Sequence, residues 1–72
     1  MTSDELSFAV FCIESLGDKI NQPASKVYDM LTKDTDVLYG YIVPCYQSLH
    51  TQGKEYILDD ICNVLNERGV SA

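Results

Sequence analysis

The stretch Leu49-His50-Thr51-Gln52-Gly53-Lys54-Glu55-Tyr56-Ile57-Leu58-Asp59-Asp60-Ile61 decides the fold, because one apolar helical pattern ends within it and another begins. Upstream, Leu38, Ile42, Cys45 and Leu49 recur at helical spacing; downstream, Tyr56, Ile57, Ile61, Val64 and Leu65 do the same. Between them His50, Thr51, Gln52 and Gly53 form a polar hinge. His50 is expected at the end of one helix, where its donors meet free carbonyls, and Thr51 is expected as the N-cap of the next. Helices joined by so short a connector pack side by side, so the chain reads as helical from this point outward.

Beyond the hinge, Asp59, Asp60, Asn63 and Glu67 supply the wet face of the last helix, and Arg68-Gly69 is a stop signal. Val70-Ser71-Ala72 reads as a frayed tail. In the other direction the third helix is apolar nearly all round, with Tyr39, Val43 and Tyr46 on one side of its core row and Val37, Tyr41 and Pro44 on the other. Such a helix is either central to the fold or meets a second molecule. Pro44 removes one backbone donor and crowds the carbonyl of Gly40, so a kink or restart is expected near Val43-Pro44.

Lys33-Asp34-Thr35-Asp36 is a turn, and the helix before it presents Val27, Met30 and Leu31 after Pro23 in its first turn. The first helix opens with Ser3 as N-cap, followed by Asp4 and Glu5, and runs to about Leu16, with Gly17 and Asp18 marking its end. Leu6, Val10, Ile13 and Leu16, with Ile20 beyond, keep helical spacing. Phe8 to Ile13 alone also fits a buried strand, but the caps and Glu14 favour helix. The resulting fold class is all-α: a single domain spanning residues 1–72, ordered from about 4 to 68, built as a small bundle of four helices, or five if Pro44 splits the third.

Seventy-two residues allow one core, and eleven acidic against five basic residues give a net charge of −6. Lys19, Lys26, Lys33, Lys54 and Arg68 are scattered. Phosphate neutralisation underlies nucleic-acid affinity and helps binding to anionic membranes, so neither is expected as a partner; an acidic surface suits solubility or a basic protein partner instead. The acidic start and the shortness of the longest apolar run, Phe8 to Ile13, point to a cytoplasmic setting. Cys12, Cys45 and Cys62 form no C-x-x-C pair and read as buried free thiols.

No motif carries chemistry. Cys45 and His50 lie more than a helical turn apart without a glycine-rich oxyanion loop. Glu55, Asp59 and Asp60 lack the alternating oxygen ligands and central glycine of a calcium loop. Gly53-Lys54 lacks the preceding glycine and following hydroxyl of a phosphate loop. No catalytic residue, metal or cofactor is expected. Tyr39, Tyr41 and Tyr46 are the candidate partner-binding residues, since tyrosine joins a large apolar ring to a polar tip.

Three segments carry a wider likeness: Phe8-Ala9-Val10-Phe11-Cys12-Ile13-Glu14, Lys26-Val27-Tyr28, and Leu49-His50-Thr51-Gln52-Gly53 ahead of Glu55-Tyr56-Ile57. The chain resembles, from about Ser7 to Arg68, a family of short bacterial proteins known only as a domain of unknown function. The resemblance implies a compact helical domain, often encoded near other small proteins, some of them similar to ADP-ribosyltransferase-type toxins. It therefore implies an accessory or antitoxin-like binding role, and it brings no catalytic residues. Pro44 departs from the family's pattern. The expectation is a protein-interaction module with a protein partner or a second copy; a small DNA-binding regulator is the alternative, weakened by the lack of Arg, Lys or Asn between Val37 and Leu49.

Overall fold

The hinge separates two helices as its sequence requires, and three more precede them. The structure, a computed structural model, describes residues 1–70: α1 Ser3–Ile20, α2 Ala24–Thr32, a π-helical segment Leu38–Ile42, α3 Tyr46–Leu49 and α4 Lys54–Glu67. There is no strand among the described residues. Of the expected tail, Ser71 and Ala72 lie outside them.

The cap of α1 is Thr2, one residue earlier than Ser3. Its hydroxyl accepts the Glu5 N–H at 3.1 Å, and the Glu5 carboxylate accepts the Thr2 N–H at 2.7 Å. Two donors at the helix start are thereby satisfied reciprocally, which stabilises it by about 1 kcal/mol.

Gly17 does not end this helix; it is buried within it. The stop is Asn21, in the left-handed region at φ 58°, and the Gln22 N–H bonds back to the Gly17 carbonyl at 2.9 Å. The Gln22 carbonyl then passes so close over α1 that a Cβ on Gly17 would sit 2.7 Å from its oxygen. Glycine is needed here for room, not for its backbone freedom.

The short connection turns α2 back against α1. Pro23 is the N-cap of α2, just outside its first turn, and Val27, Met30 and Leu31 are buried as their spacing predicts. The Thr35 hydroxyl donates to the Met30 carbonyl at 2.8 Å and accepts the Val37 N–H at 3.3 Å, so one side chain organises the turn that follows.

Pro44 splits the third helix. Before it, the Val43 N–H reaches the Leu38 carbonyl, five residues back, at 3.0 Å. This wider register explains the burial of Val37, Leu38 and Ile42 together. In a regular helix Val37 and Ile42 would point about 140° apart, whereas a π turn brings residues five apart to one side. After Pro44 the chain restarts tightly, with Tyr46 N–H on the Val43 carbonyl at 3.2 Å. The carbonyl that Pro44 cannot serve belongs to Gly40, which is exposed to water.

In the hinge, the Thr51 hydroxyl donates to the Ser48 carbonyl at 3.0 Å, closing α3. The helix α4 begins at Lys54, so its N-cap is Gly53, not Thr51, and the Gly53 carbonyl accepts the Ile57 N–H at 3.0 Å. Tyr56, expected inside, is exposed, and Leu58 is buried in its place alongside Ile57, Ile61 and Leu65. Arg68-Gly69 stops α4 as its sequence requires: Gly69 has φ 85°, its N–H bonds Asn66, and the Val70 N–H bonds Leu65 at 3.0 Å. Val70 is thus not frayed but packed against the core.

One core results, with Cys12, Leu16, Val27, Leu31, Val37, Ile42, Ile61 and Leu65 wholly buried. In α1 the inward stripe is Phe8, Ala9, Cys12 and Leu16, while Leu6 and Val10 face water. Small Ala9 and Cys12 let neighbouring helices approach where Leu6 and Val10 would hold them off.

Alanine for glycine inside a helix ordinarily stabilises by about 1 kcal/mol. Gly17→Ala is expected to do the opposite, costing roughly 1–3 kcal/mol because a backbone carbonyl must move. Thermal denaturation checks this, at roughly 4–8 °C per kcal/mol for a domain of this size. A rise in Tm would show that the carbonyl does not crowd Gly17.

Candidate functional site

The three tyrosines of the central segment are put to three uses. Tyr41 donates its phenol to the Asp60 carboxylate, tying the π segment to α4. That bond, with burial next, pushes the Tyr41 hydroxyl above the ordinary phenol range. Tyr46 packs edge-on against Phe8, centroids 5.4 Å apart, and stacks on His50 at 4.4 Å. Tyr39 alone turns outward and is 56% exposed. Its neighbour there is Tyr28 of α2, 43% exposed, whose hydroxyl holds the Tyr39 phenol above its ordinary range.

The hinge residues hold structure. His50 ends α3 with its backbone N–H on the Tyr46 carbonyl at 2.9 Å, and its ring, expected to donate to free carbonyls, stacks on Tyr46 instead. A Cβ on Gly53 would meet nothing within 4 Å, so no close approach requires glycine there.

The cysteines are all free. Cys12 is wholly buried, and burial pushes its thiol up to about 12, far from a reactive thiolate. Cys62 is half-buried and its thiol is likewise raised, mainly by burial. Among the described residues no group of three or more His, Cys, Asp or Glu side chains is placed to hold a metal ion. A cleft of about 330 Å³ between α1 and α4 is lined by Ser15, Asp18, Lys19, Lys54, Glu55 and Leu58. Two ammonium and two carboxylate groups leave it without a dominant charge.

A family model described as a protein of unknown function, DUF3791, matches residues 7–68. The chain belongs to the DUF3791 family. The match takes in α2, the π segment, α3 and α4 whole and most of α1. No curated protein and no solved structure matches the chain. Neither the family description nor this small all-helical fold carries a sign of catalysis. No described helix of this DUF3791 chain is long and apolar enough to cross a membrane.

Sequence reasoning missed two features of the surface. Tyr28 joins Tyr39, and the outward side of α1 exposes Leu6, Val10 and Phe11. The second was visible as a surplus: α1 carries more apolar residues than one stripe uses.

Two outcomes follow from these environments. A phenol raised in the folded state favours folding below the unfolded value of 10.0, and that contribution is lost as pH climbs through the folded value. Stability of the native chain should therefore fall steeply in alkali, and Tyr41→Phe should fall less steeply, as read by urea midpoints across the alkaline range. In the native protein a thiol-reactive dye should label at most Cys45 and Cys62, with Cys12 reacting only after denaturation. Prompt labelling of all three would contradict the burial of Cys12.

Proposed function

We propose that this DUF3791 chain is a non-catalytic protein-interaction module, an accessory or antitoxin-like partner of a protein encoded beside it, in a bacterial cytoplasm. The observation that carries the reading is the outward Tyr39–Tyr28 pair, standing on a core that is already closed by other residues. Exposed tyrosines lose little rotamer freedom when covered and bring both apolar area and a hydrogen-bonding tip to an interface. Tyr41 and Tyr46 are half-buried, the Tyr41 hydroxyl held by Asp60 and the Tyr46 ring by Phe8 and His50, so Tyr39 is the ring of the three most open to a partner. Three free thiols suit a reducing compartment.

The partner is a protein of opposite charge sign. Of the five basic side chains, Lys19, Lys33 and Arg68 are drawn to Asp59, Asp29 and Asp36, which leaves no cluster of free cations for phosphate.

Light scattering over a concentration series, alone and with the adjacent gene's product, tests the reading. Tyr39→Ala should weaken the complex about tenfold or more while leaving Tm within a few degrees, because truncating an exposed ring changes stability little. Tyr46→Ala is the contrasting variant: it should lower Tm, since its ring packs on Phe8. Equal melting losses in both with association unchanged would sink the Tyr39 surface. Retention of duplex DNA at moderate salt would replace the whole reading with a DNA-binding one.

A further inference from the structure

The outward side of α1 is a second apolar surface, opposite the stripe that fills the core. Leu6 is 55% exposed, Val10 44% and Phe11 38%. At 100° per residue, Leu6, Ser7, Val10, Phe11 and Glu14 fall within an arc of about 140°, and Asp18 lies inside the same arc. All six are exposed, whereas Gly17, which falls in the same arc, is buried where the turn into α2 crosses it, so the open part of the face runs from Leu6 to Glu14 with Asp18 at its edge; none of the five basic residues shares the face. Lys19, the only cation on α1, lies on the other side, 3.4 Å from Asp59 of α4. The surface is therefore apolar over its first turns and acidic beyond them.

Charge selects the occupant. In a head-to-tail pair of two copies that overlays their apolar residues, Glu14 of one α1 would come beside Asp4 of the other, which borders the face; in a parallel pair Glu14 and Asp18 would each meet themselves. Both arrangements set carboxylate against carboxylate, which disfavours self-association. A helix with apolar side chains one turn apart and Lys or Arg on its flanks meets neither objection. We propose that the Leu6–Val10–Phe11 face of α1 docks a basic amphipathic helix of another protein, with Glu14 and Asp18 receiving its cations. This assignment rests on the interaction-module reading and names the chemistry of the partner, at a surface separate from Tyr39.

The experiment uses the full chain and a short, fluorescently tagged synthetic helix with leucines on one face and lysines on the flanks. Its controls are a twin with glutamates for the lysines and a scramble of the same composition. Anisotropy measures binding, and NMR amide shifts map it. The leucine–lysine helix should bind at least about tenfold more tightly than either control. Shifts should centre on Leu6 to Glu14, and binding should weaken with added salt. The paired variant Leu6→Ser with Val10→Ser should abolish it without lowering Tm, because both side chains are outside the core; Glu14→Gln with Asp18→Asn should weaken it and flatten the salt dependence.

Equal binding of the scramble would overturn the proposal in favour of unspecific charge attraction. Shifts confined to Tyr28 and Tyr39, no binding at all, or a dimer that the Leu6→Ser, Val10→Ser pair dissolves would each overturn it as well. The Tyr39-dependent complex is read separately by light scattering. Its survival when the peptide fails would sink the α1 assignment alone, and the absence of any complex by either method would sink both.

Discussion

The return of the Gln22 carbonyl over Gly17 is the contact on which the rest of the bundle depends. It sets how closely α2 can lie on α1, and the ideal Cβ position of Gly17 is already 3.6 Å from a methyl of Val27. With α2 seated at that distance, Val27 and Leu31 reach the same core as Cys12 and Leu16, and that core can close with residues no larger than leucine and phenylalanine. In a chain this short the interior is a single layer of side chains, so a displaced hairpin leaves no second core to absorb the strain. The helix runs on to Asn21 because this packing needs a full turn beyond Gly17.

The middle of the chain solves a different problem: it must bury Val37, Leu38 and Ile42 and then stop at Pro44. A regular helix satisfies neither demand, since it would turn Val37 away from Ile42 and would drive the Pro44 ring into the Gly40 carbonyl. One π register meets both, at the cost of weaker internal geometry. The compensation comes from outside the segment. Tyr41 bonds Asp60, and Arg68 reaches Asp36 just ahead of the segment, so both the middle and the end of α4 hold it in place. The Arg68 pair lies at the surface and contributes at most about 1 kcal/mol, so the partly buried Tyr41 bond is the more consequential tie.

What could be read from the sequence was whatever a single periodicity or a local cap decides. Val27, Met30 and Leu31, the Arg68-Gly69 stop, the split at Pro44 and the helical class all follow from residues within one or two turns of each other. The misplacements share a cause, which is competition. In α1 the Leu6–Val10 row and the Phe8–Cys12–Leu16 row have equal helical spacing, and only the nearness of neighbouring helices favours the row containing small Ala9 and Cys12. Thr51 is a good cap by composition, but α4 begins at Lys54, two residues too late for Thr51 to be its cap, and the hydroxyl closes α3 on the Ser48 carbonyl instead. Gly17 resembles a stop signal because local sequence does not disclose a carbonyl that arrives from Gln22. Of the three central tyrosines only Tyr39 is exposed; the partners that half-bury Tyr41 and Tyr46, namely Asp60 and Phe8, are distant in sequence.

The surplus of apolar surface has an energetic meaning that links these points. A fully buried leucine is stabilised by about 1.5–3 kcal/mol relative to an exposed one, so Leu6, Val10 and Phe11, each about half exposed, together forgo roughly 2–4 kcal/mol, a sizeable part of the stability of a small domain. Folding alone gives no reason to place them there, because serine or lysine at the same positions would keep the helix and improve solubility. The same holds for Tyr28 and Tyr39. A core closed by other residues, with two separate apolar surfaces left outside it, is what the proposed interaction module would carry, with part of its stabilisation reserved for the bound state. On the proposed reading, Glu14 and Asp18 beside that surface would favour a cationic helix over a second copy of the acidic chain.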